Sequence, residues 1–355
     1  MSIDLDQARA LREEDAFDIA AVDAFLKTRI DGLSGMPEVR QFPGGASNLT
    51  YLLTYAGREL VLRRAPPGAK AKSAHDMLRE ADVMASLKPH YPWVPAILAR
   101  CGDASVIGQD FYAMERLRGT ILRRDLPASL ARDAEATGRL CESFLDRLVQ
   151  LHAIDATAPD LAHIGRGEGY IARQVTGWNA RWQQAATEGC DAAEDVMAWL
   201  IDAQPAHDNA TCVIHNDYRF DNVVLAADDP QRIIGVLDWE MATLGDPLMD
   251  LGGSLAYWVQ ADDDAVFQSF RRQPSNAPGM PTRAGLVALY GERSGRDVSN
   301  FAFYEVFGLF RLAVIVQQIW RRYALGQTRN RQFAGFGDAA RYLVARCRRV
   351  IGAAP

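Results

Sequence analysis

Two β-prone runs on either side of a turn constrain this chain more than any other feature: VIHNDYRFDNVVL at 213–225 and RIIGVLDWE at 232–240. Val223–Leu225 and Ile233–Leu237 flank the turn-prone Asp228-Asp229-Pro230, a pattern that predicts a hairpin. Folding about residue 230 opposes positions whose numbers sum to about 460, which sets Asn222 beside Asp238 at the open end. A carboxylate and an amide oxygen converging at a strand end suit Mg²⁺, which keeps several waters and takes few protein ligands. Asp217, five residues before Asn222, is then near enough to accept a proton from a hydroxyl attacking a phosphate.

The 355-residue chain is 48% hydrophobic and 24% charged overall, enough apolar material for a buried core. A formal net charge of −6 gives no bulk positive charge for a nucleic-acid partner. The five cysteines, Cys101, Cys141, Cys190, Cys212 and Cys347, are spaced too widely for a CxxC metal knuckle or a disulfide framework, so reduced thiols in a cytoplasmic protein are expected. Met1–Asp15 carries both signs of charge and lacks the apolar core of a leader peptide. Glu305, Arg311 and two glutamines interrupt the apolar stretch Phe301–Trp320, which reads as a buried helix and not a membrane span.

Apolar residues at helical spacing predict an opening helix over 17–30. Val39–Phe42, Thr50–Thr54 and Glu59–Arg63 read as antiparallel strands punctuated by Pro43-Gly44-Gly45 and Ala56-Gly57. Ser73 and Asp76 resemble a capping box for a helix running to Leu87, and Val106–Ile107 and Phe111–Met114 read as further strands. Helices are predicted at Ser129–Ala153, Tyr170–Ala185 and Asp191–Ala203, interrupted by a β island at Thr211–Leu237. The expected organisation is an N-terminal lobe, 1–117, and a larger helical lobe, 118–355, joined near Glu115–Gly119.

The order His215-x-Asp217-x-x-x-x-Asn222, then Asp238 after a hydrophobic strand, resembles the catalytic and metal-binding loops of the protein-kinase-like fold. With Leu237-Asp238-Trp239-Glu240 and Gly245-Asp246-Pro247-x-x-Asp250-Leu251, the chain resembles the aminoglycoside phosphotransferase family, and within it the phosphotransferase domain associated with acyl-CoA dehydrogenases. The resemblance implies an α+β bilobal fold, with a small antiparallel β-sheet lobe and a larger mainly helical lobe. It further implies ATP or GTP with Mg²⁺, Asp217 as catalytic base, His215 orienting the loop, Asn222 and Asp238 holding the metal, and Asp250 bracing the loop. Gly44, Gly45, Ser47 and Asn48 lie between two β runs, where glycines let backbone N–H groups approach phosphates. Arg63 stands where most such kinases carry a lysine touching nucleotide phosphates, with Glu80 as its expected acidic partner and the backbone of Glu115–Leu117 facing an adenine edge.

The activity so implied is transfer of a γ-phosphoryl group to a hydroxyl of a small molecule. Three acceptors compete. A polycationic aminoglycoside calls for acids such as Asp246, Asp262, Asp263 and Asp264, and a choline-like amine for an aromatic cage from Trp178, Trp182, Trp239, Tyr257 and Trp258. A phosphate-bearing hydroxyacyl-CoA calls for basic groups such as Arg311, Arg321 and Arg322, and the resemblance favours this or a related hydroxylated metabolite. The alternative of another class is a nucleotide-binding pseudokinase that recruits a partner, for which retention of Asp217, Asn222 and Asp238 has no chemical need.

Overall fold

The computed structural model describes residues 7–43, 48–66 and 76–354. They pack into two compact units: residues up to 123 with 159–161 and 220–242 form the first, and 124–158, 162–219 and 243 onward form the second. Where the sequence suggested one cut after residue 117, packing assigns the 223–236 hairpin to the first unit.

The first unit is built on an antiparallel sheet. Its elements are β1 (Arg9–Ala10), α1 (Ile19–Lys27), β2 (Glu38–Gln41), β3 (Leu49–Tyr55), β4 (Arg58–Arg64), α2 (Met77–Leu87), β5 (Ile97–Cys101), α3 (Ala104–Ile107) and β6 (Phe111–Glu115). The strand order is β1-β2-β3-β4-β6-β5. Side-chain alternation divides the sheet into two faces. Leu49, Tyr51, Leu53, Leu60, Leu62, Phe111 and Ala113 join Val22, Leu26 and Ile30 in one buried cluster. The intervening residues Thr50, Val61, Arg63 and Met114 line a cavity instead. Gly57, at φ 77°, gives the two-residue β3–β4 turn the left-handed conformation it needs.

One predicted strand is a helix, and one strand has no counterpart in the sequence reading. Val106–Ile107 close the short helix α3 and form no strand, because Asp103 accepts the Ser105 N–H and Gly108 ends the turn at φ 81°. The strand beside β6 is β5, whose uneven burial conceals it from a period-2 reading. Helix α2 begins at the Asp76 cap, which accepts from Arg79 N, and Ser73 lies outside the described residues. Glu80 therefore sits in the first turn of α2.

The hairpin strands Val223–Ala226 and Ile233–Val236 pair with Val236 opposite Val223 and Ile233 opposite Leu225; a bulge between Ile233 and Gly235 steps the register by one, and the pairing at the open end falls one residue short of the expected sum, which sets Asn222 opposite Leu237 instead of Asp238. Gly119–Thr120 adds a third strand against 225–226. A side chain on Gly235 would place Cβ 2.0 Å from Leu117, so glycine there lets the 115–117 segment lie against the hairpin.

In the second unit the predicted Ser129–Ala153 helix divides into Ala128–Ala131 and Ala134–His152, the latter capped by Asp133. Helices Tyr170–Gln184, Glu194–Asp202, Pro247–Leu255, Arg283–Ser294, Ala302–Ala324 and Phe336–Ala353 complete it, with a two-stranded sheet of Cys212–Ile214 and Thr243–Gly245. The apolar helix Ala302–Ala324 is largely buried, packed on 247–255 and 336–353. Gly308 and Gly252 let two of these backbones touch: a Cβ on Gly308 would lie 2.1 Å from the Gly252 carbonyl.

Candidate functional site

Adjacent arginines on β4 part company because the strand alternates. Arg64 points into the core side, donating to Tyr51 Oη at 3.0 Å and to the Asp15 carbonyl at 2.6 Å. Arg63 points to the cavity face. Its Nη1 donates to Glu80 Oε1 at 2.5 Å and to Tyr112 Oη at 3.3 Å, and its Nη2 to Asp238 Oδ1 at 3.0 Å. Glu80 is wholly buried, and burial, reinforced by the nearby Asp238, raises its pKa although Arg63 pulls it down. Burial also opposes the Arg63 charge, but Glu80, Tyr112 and Asp238 outweigh it and hold its pKa well above the ordinary value. The arrangement sets two carboxylates against one guanidinium, so negative charge is left over at Asp238, whose side chain is 31% exposed.

Asn222 and Asp238 both line a cavity at the hairpin's open end. Leu237 N donates to the Asn222 carbonyl at 2.8 Å, so Asn222 faces Leu237 and Asp238 follows one residue further on. Asp238 adopts φ 66°, a left-handed conformation uncommon for a non-glycine residue. Among the described residues no group of three or more His, Cys, Asp or Glu forms a metal cluster. An amide oxygen and a carboxylate with leftover negative charge are hard donors that fit a mostly hydrated Mg²⁺.

The same elements enclose a cavity of about 210 Å³. Val61, Met114, Val224 and Leu237 supply apolar walls, while Arg63, Asn222 and Asp238 supply polar ones. Glu115 and Leu117 also line it. The Glu115 N–H is already donated to the Ala96 carbonyl at 2.9 Å, so that donor of the 115–117 segment is spent. Arg63 Nε is buried and has no hydrogen-bond partner among the described residues, a donor suited to a phosphate oxygen. Asn48 Nδ2 donates to Glu240 Oε2 at 2.9 Å, and Gly44, Gly45 and Ser47 lie outside the described residues. Arg79 anchors the segment after Asp238 by donating to the carbonyls of Glu240 and Ala242.

His215, Asp217 and Asp250 belong to the second unit. Asp250 accepts the backbone N–H of His215 through Oδ2 and of Asn216 through Oδ1, each at 2.7 Å. His152 Nε2 lies 3.1 Å from Asp250 Oδ2, and its Nδ1 lies 2.7 Å from Tyr290 Oη. Burial works against the Asp250 charge, but the His152 hydrogen bond, the nearby His215 and the backbone donors hold its carboxyl below the usual range. His215 is fully buried, and its Nδ1 accepts the Asp217 N–H at 3.2 Å. Asn216 takes φ 65°, held by Tyr170 Oη on its side chain and by Arg311 Nη2 on its carbonyl. Sequence reasoning did not find Tyr112, Arg79, His152 or Arg219, because each matters only through a partner far away in sequence or through side-chain geometry.

The fold and these loops define a kinase-like α+β protein. Residues 38–286 match the phosphotransferase enzyme family, APH, and the chain belongs to that family. It is similar to the crystal structure of a candidate aminoglycoside phosphotransferase from Ralstonia eutropha JMP134, with a TM-score of 0.82 and 30% identity, covering 96% of this chain and 100% of that one. It is 33% identical to acyl-CoA dehydrogenase family member 11 of Rattus norvegicus over 318 residues, which is 87% of this chain but only 40% of that protein's length. The aminoglycoside phosphotransferase APH(4)-Ia, solved as a ternary complex with ADP and hygromycin B, shares the fold at a TM-score of 0.56 and 15% identity, over 93% of this chain and 98% of that one.

Proposed function

We propose that this chain transfers the terminal phosphoryl group of ATP, or of GTP, to a hydroxyl of a small molecule in a Mg²⁺-dependent reaction. The observation that carries the reading is the bridge of Arg63 between Glu80 and Asp238, beside Asn222 on the wall of one cavity. Asn222 and Asp238 would hold the metal, whose chemistry is to neutralise charge on the phosphates. Arg63 binds phosphate oxygens, and the apolar walls at Val61, Val224 and Leu237 take the base. Asp217 receives the acceptor's proton; five residues of chain hold it within about 18 Å of Asn222. His215 and Asp250 fix the Asp217 loop through its backbone. The complex of APH(4)-Ia with ADP supports nucleotide use.

For the acceptor, we infer a hydroxylated acyl thioester or a related metabolite, by likeness to the acyl-CoA dehydrogenase relative. Several features expected of the rival acceptors are occupied otherwise, as is Arg311, whose guanidinium holds the Asn216 carbonyl. Asp246 caps a helix by accepting from Leu248 N and Met249 N, and Asp263 lies between Arg283 and Arg346, so neither is available to a polycation. Trp182, Trp239 and Trp258 are core residues, and the Arg219 guanidinium covers Tyr257. A thermal-shift series of nucleotides with and without Mg²⁺, followed by ATP turnover over a panel of hydroxylated metabolites, tests the reading. Absence of any nucleotide-dependent shift or turnover would overturn it.

A further inference from the structure

Arginine at position 63 creates a geometric problem that lysine would not. An ammonium is a point charge that can rotate among partners, whereas a guanidinium is a planar fork whose donors have fixed directions. Its rotation about the Cδ–Nε bond decides where each nitrogen points and so which acceptor it meets. Glu80 and Asp238 come from separate elements, and each takes a different terminal nitrogen. Tyr112 stands directly across the sheet from Arg63 in the β4–β6 pairing and is completely buried. Its hydroxyl accepts from the nitrogen that also serves Glu80, and it is hydrogen-bonded to Glu80 in turn.

We propose that Tyr112 is a positioning residue that makes an arginine usable at this site: by holding Nη1 on Glu80 it fixes the fork's rotation, keeps Nη2 on Asp238 and leaves Nε–H for a nucleotide phosphate. This rests on the nucleotide reading given above. It follows that the Tyr112 hydroxyl matters to phosphate binding but not to base binding, and matters only while residue 63 is arginine.

The test is calorimetric titration of the whole chain with adenosine, ADP and ATP, without metal and with Mg²⁺. Tyr112→Phe, which keeps the buried ring, is expected to weaken ADP and ATP about fivefold to tenfold while leaving adenosine affinity unchanged. In the Arg63→Lys background the same substitution should have little further effect, a coupling that simple loss of packing would not produce. Unfolding temperature reports on folding, and Tyr112→Met is a second variant without the hydroxyl should Tyr112→Phe prove unstable; it should show the same dependence on residue 63. Equal weakening of adenosine and ATP, or equal effects in both backgrounds, would overturn the role of Tyr112. A wild-type chain that binds no nucleotide sinks the phosphotransferase reading and this role with it, whereas wild-type binding with Tyr112→Phe unaltered removes this role alone.

Discussion

Arg219 sets its guanidinium against the carboxylate of Asp217, with Nε 3.1 Å from Oδ1 and Nη2 3.2 Å from Oδ2. The same guanidinium lies 4.7 Å from the centre of the Tyr257 ring, so the carboxylate is held from one side by a side chain that is itself stacked. Asp217→Asn keeps the shape of this contact and removes the proton acceptor. Phosphoryl transfer in single turnover should fall about 100-fold to 10,000-fold, with nucleotide affinity changed by no more than about threefold. Near-wild-type transfer to the true acceptor would remove Asp217 from the role of base.

Asp238 separates metal from nucleotide. Asp238→Ala removes a carboxylate proposed to face the ion, so nucleotide affinity measured with Mg²⁺ should drop about tenfold or more, well beyond the drop measured in EDTA. Equal losses with and without magnesium would count against the ligand role. The left-handed backbone at this position adds a second expectation: Asp238→Gly should unfold at a higher temperature than Asp238→Ala, because glycine adopts that conformation without strain.

Arg63 and Glu80 form one buried unit, so their substitutions should not add. Arg63→Ala leaves Glu80 buried without its cation and should cost about 3–5 kcal/mol in urea unfolding, with Glu80→Ala similar. The double variant should cost clearly less than the sum. Arg63→Lys preserves charge but not the fork, and should retain reduced, measurable turnover. Additive losses in the cycle would mean that the two residues act separately.

Asp250 makes stability depend on pH in a stated direction. Its native pKa lies below the ordinary carboxyl value, so the unfolded chain binds a proton more readily than the folded one. The stabilisation is fully present above the ordinary carboxylate range, about pH 4, and is withdrawn as pH falls toward the native value. Unfolding free energy measured between pH 7 and pH 3 should therefore decline at the acid end. Asp250→Asn should be less stable at pH 7 and show a shallower acid decline; an unchanged slope would exclude Asp250 as its source.

Much of the fold was legible because alternation and capping are local. The period-2 pattern of β3 and β4 and the helical spacing of 19–27 follow from which residues can share a face. Val106–Ile107 misled because two β-branched residues suggest a strand, while the neighbouring Asp103 cap decided for a helix. The turn placed Asn222 within one residue of its partner, which is Leu237 and not Asp238, and Gly235 inside the second strand is the one local sign of the bulge. The contact between Arg63 and Glu80 followed from resemblance, whereas the hydrogen bond of Tyr112 depends on a cross-strand neighbour 49 residues away and on the rotamer of a guanidinium. The bond from His152 to Asp250 spans 98 residues between two helices, a distance that spacing along one element cannot report.

The assignment of residues 220–242 to the first unit has a consequence for synthesis on the ribosome. Gly119–Thr120 pairs as a strand with 225–226, and the Trp93 carbonyl accepts from the Val236 N–H, so the N-terminal sheet emerges well before the hairpin that completes its surroundings. At translation rates of about 5–20 residues per second, the roughly 100 residues between 123 and 220 impose a wait of about 5 to 20 seconds. During that wait the faces destined for the hairpin are open to chaperones or to neighbouring nascent chains. A fragment ending at residue 123 would remain in that condition permanently, so any minimal version of the first unit has to carry the hairpin, by permutation or by grafting, to be complete.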